Sequence, residues 1–220
     1  MRVSERELVA RIAERSDSAG LALPADLAAA LAGYLGLLTK WNRRINLTAH
    51  ELEPPSDAAI DHLILEPLIA ARHVPDAARL ALDVGSGGGS PGVPLALALP
   101  RLQLTLVESR TRKASFLREV ARQLSLGSVT VENARLEEVA ALAGFQQTVD
   151  LVTLRAVQPD EPLVRGLERT LSSRGLVFWF TTESAELSEA LRTGALRLEA
   201  AHELVPGSRA RLLVMRHASH

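Results

Sequence analysis

Three features of this 220-residue sequence predict an α/β fold with a mostly parallel sheet, helices on both faces and a helical N-terminal extension. The first is an apolar run (Leu80, Ala81, Leu82, Val84) that passes Asp83 and enters a turn rich in glycine: Gly85, Gly87, Gly88, Gly89 and Gly92. Helical periodicity follows through Leu95 to Leu99. Strand, glycine turn and helix in that order let bare backbone approach a ligand closely. The second feature is the alternation of strand and helix patterns from residue 80 onward, which implies a parallel sheet covered on both sides. The third is that residues 1–72 carry only helical patterns.

Taken in order, residues 4–15 and 24–41 read as helices. The second has Pro24 near its first turn and Leu27, Leu31, Leu35 and Leu38 at helical spacing. Glu53-Pro54-Pro55 breaks the chain, and Ser56-Asp57 can cap a helix over 59–72. Strands are expected at 80–84, 103–107, 128–132, 149–154 and 176–180, with helices at 92–99, 111–124, 136–142 and 160–172 between them. A helix over 184–192 precedes strands near 196–204 and 210–216. Those last two, joined through Pro206-Gly207, read as a hairpin, so one terminal strand should run antiparallel in a seven-stranded sheet. The expected organisation is a helical extension, 1–72, packed on an α/β core, 73–220.

An apolar content of 47% can build a sizeable core. No run of about 18 apolar residues escapes interruption by charge or proline, so no membrane span is expected. The N-terminus (Arg2, Glu5, Arg6, Glu7) lacks an apolar signal region, which points to a cytoplasmic protein. The absence of cysteine excludes disulfides, Cys-ligated zinc and a thiol nucleophile. Six histidines without His-x-x-x-His spacing give no reason to expect a metal. A net charge of −1 does not advertise a nucleic-acid partner, but the cations are clustered. Lys40, Arg43 and Arg44 form one group; Arg110, Arg112, Lys113, Arg118 and Arg122 form another. The only two lysines among 25 basic residues, Lys40 and Lys113, fall one in each.

The glycine spacing bears on which ligand the turn meets. Glycines stand at 85, 87 and 89, whereas a dinucleotide fingerprint wants the third at 90, where Ser90 stands. Acid-x-Gly-x-Gly-x-Gly after a first strand is the pattern of S-adenosylmethionine (AdoMet) methyltransferases. The second strand then ends at Glu108, 23 residues past Gly85, where an acid can accept hydrogen bonds from ribose hydroxyls. The third is followed by Asn133-Ala134-Arg135-Leu136-Glu137-Glu138, a polar segment suited to an adenine. Gly88-x-Ser90-x-Gly92 also matches a hydrolase nucleophile elbow, with Asp150 and His202 following in order. Ser90 lies too far past its strand for that, and Pro91 removes an N–H that an oxyanion hole needs.

Lys40-Trp41-Asn42-Arg43-Arg44-Ile45-Asn46-Leu47-Thr48, then His62, then the run from Asp83 to Ala96, resembles the family once called glucose-inhibited division protein B. The likeness continues through Glu108-Ser109, Arg112-Lys113, Phe116-Leu117-Arg118, Ala134 to Glu138 and Arg155-Ala156, covering about 25–182. Prolines in the first turn of the helix (Pro91, Pro94) belong to it too. That family methylates N7 of one guanine in bacterial small-subunit (16S) ribosomal RNA. The resemblance implies a class I methyltransferase (Rossmann-like) fold, AdoMet as cofactor, and 16S RNA or the small ribosomal subunit as partner of a monomer. Cofactor contacts would come from Asp83, Gly85, Gly87, Ser90, Glu108, Arg135, Leu136, Glu137 and Arg155, with Arg155 also placed near the reacting groups. Lys40, Arg43, Arg44, Arg112 and Lys113 would hold the RNA. Trp41 and Leu47 read as packing, Asn46 and Thr48 as a turn, and Arg155 could instead pair with Asp83.

Guanine N7 already presents a lone pair in the major-groove edge, so no general base is required. Catalysis then reduces to aligning nitrogen, methyl and sulfur and excluding water. An arginine against N7 would oppose the charge that moves onto the purine, so Arg155 should face a phosphate, O6 or a carboxylate. Three positions depart from the family pattern. His62-Leu63-Ile64-Leu65-Glu66 lacks the acid of His-x-x-Asp-Ser, Leu154 replaces the serine of Ser-Arg-Ala, and Thr181-Thr182 replaces Lys-Gly. The alternative they leave open is a relative that binds AdoMet or RNA without this methylation.

Overall fold

The computed structural model describes residues 4–157, 160–182 and 196–217. Helix α1 (Glu5–Ser18) opens with a capping box: Ser4 Oγ accepts the Glu7 N–H while the Glu7 carboxylate accepts the Ser4 N–H. Helix α2 (Ala25–Ile45) runs through the whole basic cluster at 40–44 and ends at Asn46, which takes the left-handed conformation that closes a helix.

The helix expected over 59–72 is three pieces: α3 (Asp57–Ile60), a π-helical turn (Asp61–Leu65) and α4 (Glu66–Ala71). Pro67 is the physical reason. It has no N–H to offer the carbonyls behind it, and the Glu66 N–H reaches back to Asp61 O instead.

Strands β1 (Leu80–Val84), β2 (Gln103–Val107), β3 (Val129–Glu132), β4 (Val149–Arg155), β5 (Leu171–Thr181), β6 (Leu196–Glu203) and β7 (Arg211–His217) form one sheet in the order β3-β2-β1-β4-β5-β7-β6. β1 to β5 are parallel, and β7 is antiparallel to both neighbours. The hairpin therefore exists, but its antiparallel strand lies inside the sheet and β6 is the edge. Helices α5 (Gly92–Ala98), α6 (Thr111–Gln123), α7 (Leu136–Val139) and α8 (Glu161–Thr170) make the connections. β5 begins five residues earlier than expected, and the pairing slips between Val149 and Leu151 to accommodate it. The expected helix at 184–192 lies outside the described residues.

Successive side chains point to opposite faces. Leu82, Val152 and Val177 meet α7 and α8 on one face. Ala81, Leu151 and Phe178 meet α1 to α6 on the other, in a single apolar cluster that runs from Leu8 to Val214. The N-terminal helices therefore share the core of the sheet. Crossovers leave β1 in one direction and return to β4 on its other side. That reversal places the β1 turn where open α/β sheets hold ligands.

Candidate active site

Past Val84 the chain turns through Gly85, Gly87 and Gly89, all at positive φ (73°, 53° and 90°). Side chains rarely adopt this region, so the turn needs glycine there. Its shape is held from several sides. Glu108, buried at the end of β2, accepts the Gly87 N–H at 2.9 Å on one oxygen and the Arg110 N–H at 2.8 Å on the other. Tyr34 of α2 donates its hydroxyl to Gly88 O at 2.7 Å. Leu38 and Leu47 close on Gly88, so a Cβ there would stand 3.2 Å from the Leu47 carbonyl.

Beside the turn lies a cleft of about 230 Å³, lined by Val84, Gly85, Val107, Arg135, Leu136 and Glu137 with Val157, Asp160 and Leu163. Of the residues singled out above, Gly85, Arg135, Leu136 and Glu137 line this cleft, while Gly87 and Glu108 adjoin it. Asn133 donates to the carbonyls of Glu108 and Ser109 and ties the β3 end to the β2 end.

Asp83, Ser90 and Arg155 stand elsewhere. Asp83 is buried behind the turn, with Oδ1 accepting from Thr153 Oγ1 at 2.6 Å. Burial raises its pKa, and hydrogen bonds from Thr153 and Ser86 oppose that. Ser90 Oγ donates to Leu63 O at 3.0 Å. Arg155 donates to His62 O at 2.5 Å, to Ser90 Oγ at 3.2 Å and to Glu66 at 2.8 Å, and lies 4.5 Å above the Phe180 ring. Burial lowers its pKa while Glu66 and Asp83 raise it. Its ion pair is with Glu66, not Asp83.

These contacts have one origin. The π-turn and Pro67 leave the carbonyls of His62 and Leu63 without helical donors, and a buried carbonyl needs one. Arg155 and Ser90 supply them, which fastens the end of β4 and the glycine turn to the N-terminal helices. Glu66 also meets His62 Nδ1 at 3.3 Å. Leu65, which stands where the family pattern has an acid, is buried, and the carboxylate comes from the next residue. The sequence reading missed Glu66. The Pro67 that creates the π-turn was the signal available.

The two basic clusters lie on helices that pack together. Trp41 and Phe116 pack at 5.8 Å between ring centres and join α2 to α6. Glu119 is held down to about 2 by Arg122 and then Gln123, with Lys40 of the other cluster adding a weaker attraction. Among the described residues Lys40, Arg44, Arg112 and Lys113 take part in no ion pair, whereas Arg43 is clamped on Glu53. Lys113 turns inward, its Nζ 3.9 Å from where a Cβ on Gly87 would lie. Asn42, unremarked in the sequence, accepts the N–H groups of Leu47 (2.6 Å) and Thr48 (2.9 Å) and shapes the loop against Gly88.

The hydrolase triad does not assemble. Asp150 is at the opposite end of the sheet, bonded to the Arg79 and Leu80 N–H groups, and His202 stacks on His73. Among the described residues no group of three metal-ligating side chains forms, and no helix is long and apolar enough to cross a membrane.

His50 lies 4.6 Å from His62, ring centre to ring centre. Burial first, and then His62, lower its pKa below 6.5. The unfolded chain therefore protonates this group more readily. Its contribution to stability is complete above about pH 6.5 and is lost as the pH falls through the lower folded value. Urea unfolding at pH 7.5 and 5.5 should show a smaller pH dependence in His50→Gln than in the parent. Equal dependence would remove His50 as its source.

This sheet order, with a glycine turn and an acid at the ends of β1 and β2, defines a class I methyltransferase-type, Rossmann-like α/β domain. Solved structures share it: precorrin-6y C5,15-methyltransferase from Geobacter metallireducens GS-15 (TM-score 0.52, 13% identity, 70% of this chain and 87% of that one), and a mutant of MtNAS in complex with S-adenosylmethionine (TM-score 0.59, 14% identity, 99% and 85%). The chain belongs to the GidB family, rRNA small subunit methyltransferase G, whose model matches residues 27–210. It is similar to "Ribosomal RNA small subunit methyltransferase G" of Xylella fastidiosa (strain 9a5c), at 51% identity over 66% of this chain and 64% of the relative. The protein of that name from Stenotrophomonas maltophilia (strain K279a) is 39% identical over 74% of each chain. Against Xylella fastidiosa (strain M23) the match spans 48% of the relative's length.

Proposed function

We propose that this chain transfers a methyl group from AdoMet to N7 of a guanine in bacterial 16S ribosomal RNA, as a cytoplasmic monomer acting on the RNA or the small subunit. The observation that carries this reading is the positive-φ glycine turn, pinned by a buried Glu108, beside the cleft at the carboxyl ends of β1 and β2. Family membership supplies the acceptor.

The residues fit the cofactor. A carboxylate has about four lone-pair sites, and Glu108 uses two on backbone, so ribose hydroxyls can use the others. Leu136, Val107 and Leu163 offer apolar walls to an adenine, with Arg135 and Glu137 at the rim. When bound, AdoMet supplies the methyl group on a positively charged sulfur.

The chain's part is to bind, orient and exclude water. N7 carries no proton, so no side chain needs to remove one. Arg155, enclosed by Glu66, His62, Ser90 and Phe180, acts as a positioning residue that holds the turn to the N-terminal helices. Asp83 supports the same turn from behind. Lys40, Arg44 and Arg112 hold phosphates, and Lys113 holds the one nearest the transfer point.

Incubation with radiolabelled AdoMet and either 16S RNA or 30S particles should label the RNA, and nuclease digestion should return 7-methylguanosine. Calorimetric binding of S-adenosylhomocysteine without transfer to either substrate would replace this reading with that of a binding relative.

A further inference from the structure

A second cavity, of about 670 Å³, opens on the other side of α2 from the glycine turn. It lies between that helix, Leu8 of α1 and the 52–55 loop. Its size falls within the range of small-ligand sites and is nearly three times that of the cofactor cleft. Tyr34 and Leu38 carry the face of α2 that touches Gly88. Gly36, Thr39, Lys40 and Arg43 follow one another at helical spacing on the face that lines the cavity. The two sites are one helix apart, about 10–12 Å.

The walls are of two kinds. Leu8, Leu52 and Pro55 form a buried apolar floor, and Pro54 stands exposed at its edge. Lys40 and Arg44 are exposed cations with no ion pair among the described residues. Arg43 is different: Glu53 grips it through Nε and Nη2, both at 2.6 Å, which neutralises its charge and fixes the plane of its guanidinium. A phosphate alone has no use for an apolar wall, and an apolar peptide has no use for the two free cations. An unstacked nucleotide uses both, and a fixed guanidinium plane is a surface on which RNA-binding proteins stack bases.

We infer that this cavity is a second RNA subsite, one that takes a single unstacked nucleotide of the strand whose guanine is methylated. Its base lies against Pro54 and the Arg43 plane, above the floor of Leu52 and Pro55, and its phosphate faces Lys40 and Arg44. The inference rests on the RNA reading above.

Gly36 provides a clean test, because a Cβ there meets nothing within 4 Å. Leucine in its place fills the cavity from the helix surface, and replacing a mid-helix glycine does not cost stability. Binding of a fluorescent single-stranded 16S fragment would be followed from 50 to 300 mM KCl for the parent, Gly36→Leu, Gly36→Ala and Arg44→Met. Thermal unfolding and S-adenosylhomocysteine titration would run alongside. Gly36→Leu should keep its Tm and cofactor affinity and lose about tenfold or more in RNA affinity at an unchanged salt slope, with Gly36→Ala close to the parent. Arg44→Met should instead flatten the slope by about 0.7, the share of one phosphate on a single strand.

RNA binding by Gly36→Leu equal to the parent would overturn the subsite and leave the methyltransferase reading intact. So would a loss of cofactor affinity in that variant, which would place the effect in the glycine turn. A parent that binds neither this fragment nor 30S particles would overturn both.

Discussion

Glu66→Ala is expected to lower the unfolding free energy by about 3–5 kcal/mol, the cost of leaving a buried charge without its partner. The side chains of Arg155 and Glu66 are only 10% and 8% exposed, so water cannot replace the carboxylate. Arg155 has no way to shed its charge at any relevant pH. The damage reaches further than the pair, because the same guanidinium caps the His62 carbonyl and touches Ser90 on the glycine turn. S-adenosylhomocysteine affinity should therefore fall along with stability.

Urea unfolding of Glu66→Ala, Arg155→Met and the double variant Glu66→Leu/Arg155→Met would measure the coupling. The double variant should recover part of the loss, since removing both charges leaves neither stranded, while the His62 carbonyl, open without Arg155, keeps it below the parent. A change under 1 kcal/mol in Glu66→Ala would mean that the pair contributes nothing to holding the turn.

The second large effect is on binding. Gly85→Asp should reduce S-adenosylhomocysteine affinity on the order of 100-fold, or about 2.7 kcal/mol, with a much smaller change in stability. At φ +73° an aspartate is strained by only about 1–2 kcal/mol. Its Cβ would lie 3.0 Å from Val157 Cγ2, a side chain that lines the cleft, so the added carboxylate projects into the space the cofactor needs. Gly85→Ala carries the same backbone strain and far less bulk, and should fall between the two. Calorimetry with each variant, and a melting curve to confirm the fold, decides it. Parent-like affinity in Gly85→Asp would mean that the cofactor binds somewhere other than this cleft.

Much of the core was legible in the chain because each signal was local. The β1 strand, its glycine turn and the acid ending β2 sit within 30 residues of one another and obey periodicities that need no partner to be recognised. Trp41 and Leu47 fall where the structure packs them, against Phe116 and over Gly88. Other signals misled or stayed silent. Leu65 stands where the family pattern has an acid, and the π-turn before Pro67 brings the carboxylate of Glu66 onto His62 and Arg155 instead. Asp83 and Ser90 belong to the glycine motif by spacing, yet their side chains turn away from the cleft, toward Thr153 and Leu63. Asn42 gave no sign, because its partners at Leu47 and Thr48 depend on how α2 ends.

By itself, then, the sequence determined the class of fold, the glycine turn at the end of β1 and the acid beside it. Each of these follows from backbone sterics and short-range patterning within a contiguous segment. Only the tertiary structure decided what Arg155 does, which carboxylate it pairs with, and that two cation clusters some 70 residues apart sit on helices that pack together. It also revealed the cavity behind α2. Those outcomes rest on burial and on unsatisfied carbonyls meeting donors from distant elements, and neither exists until the helices pack on the sheet.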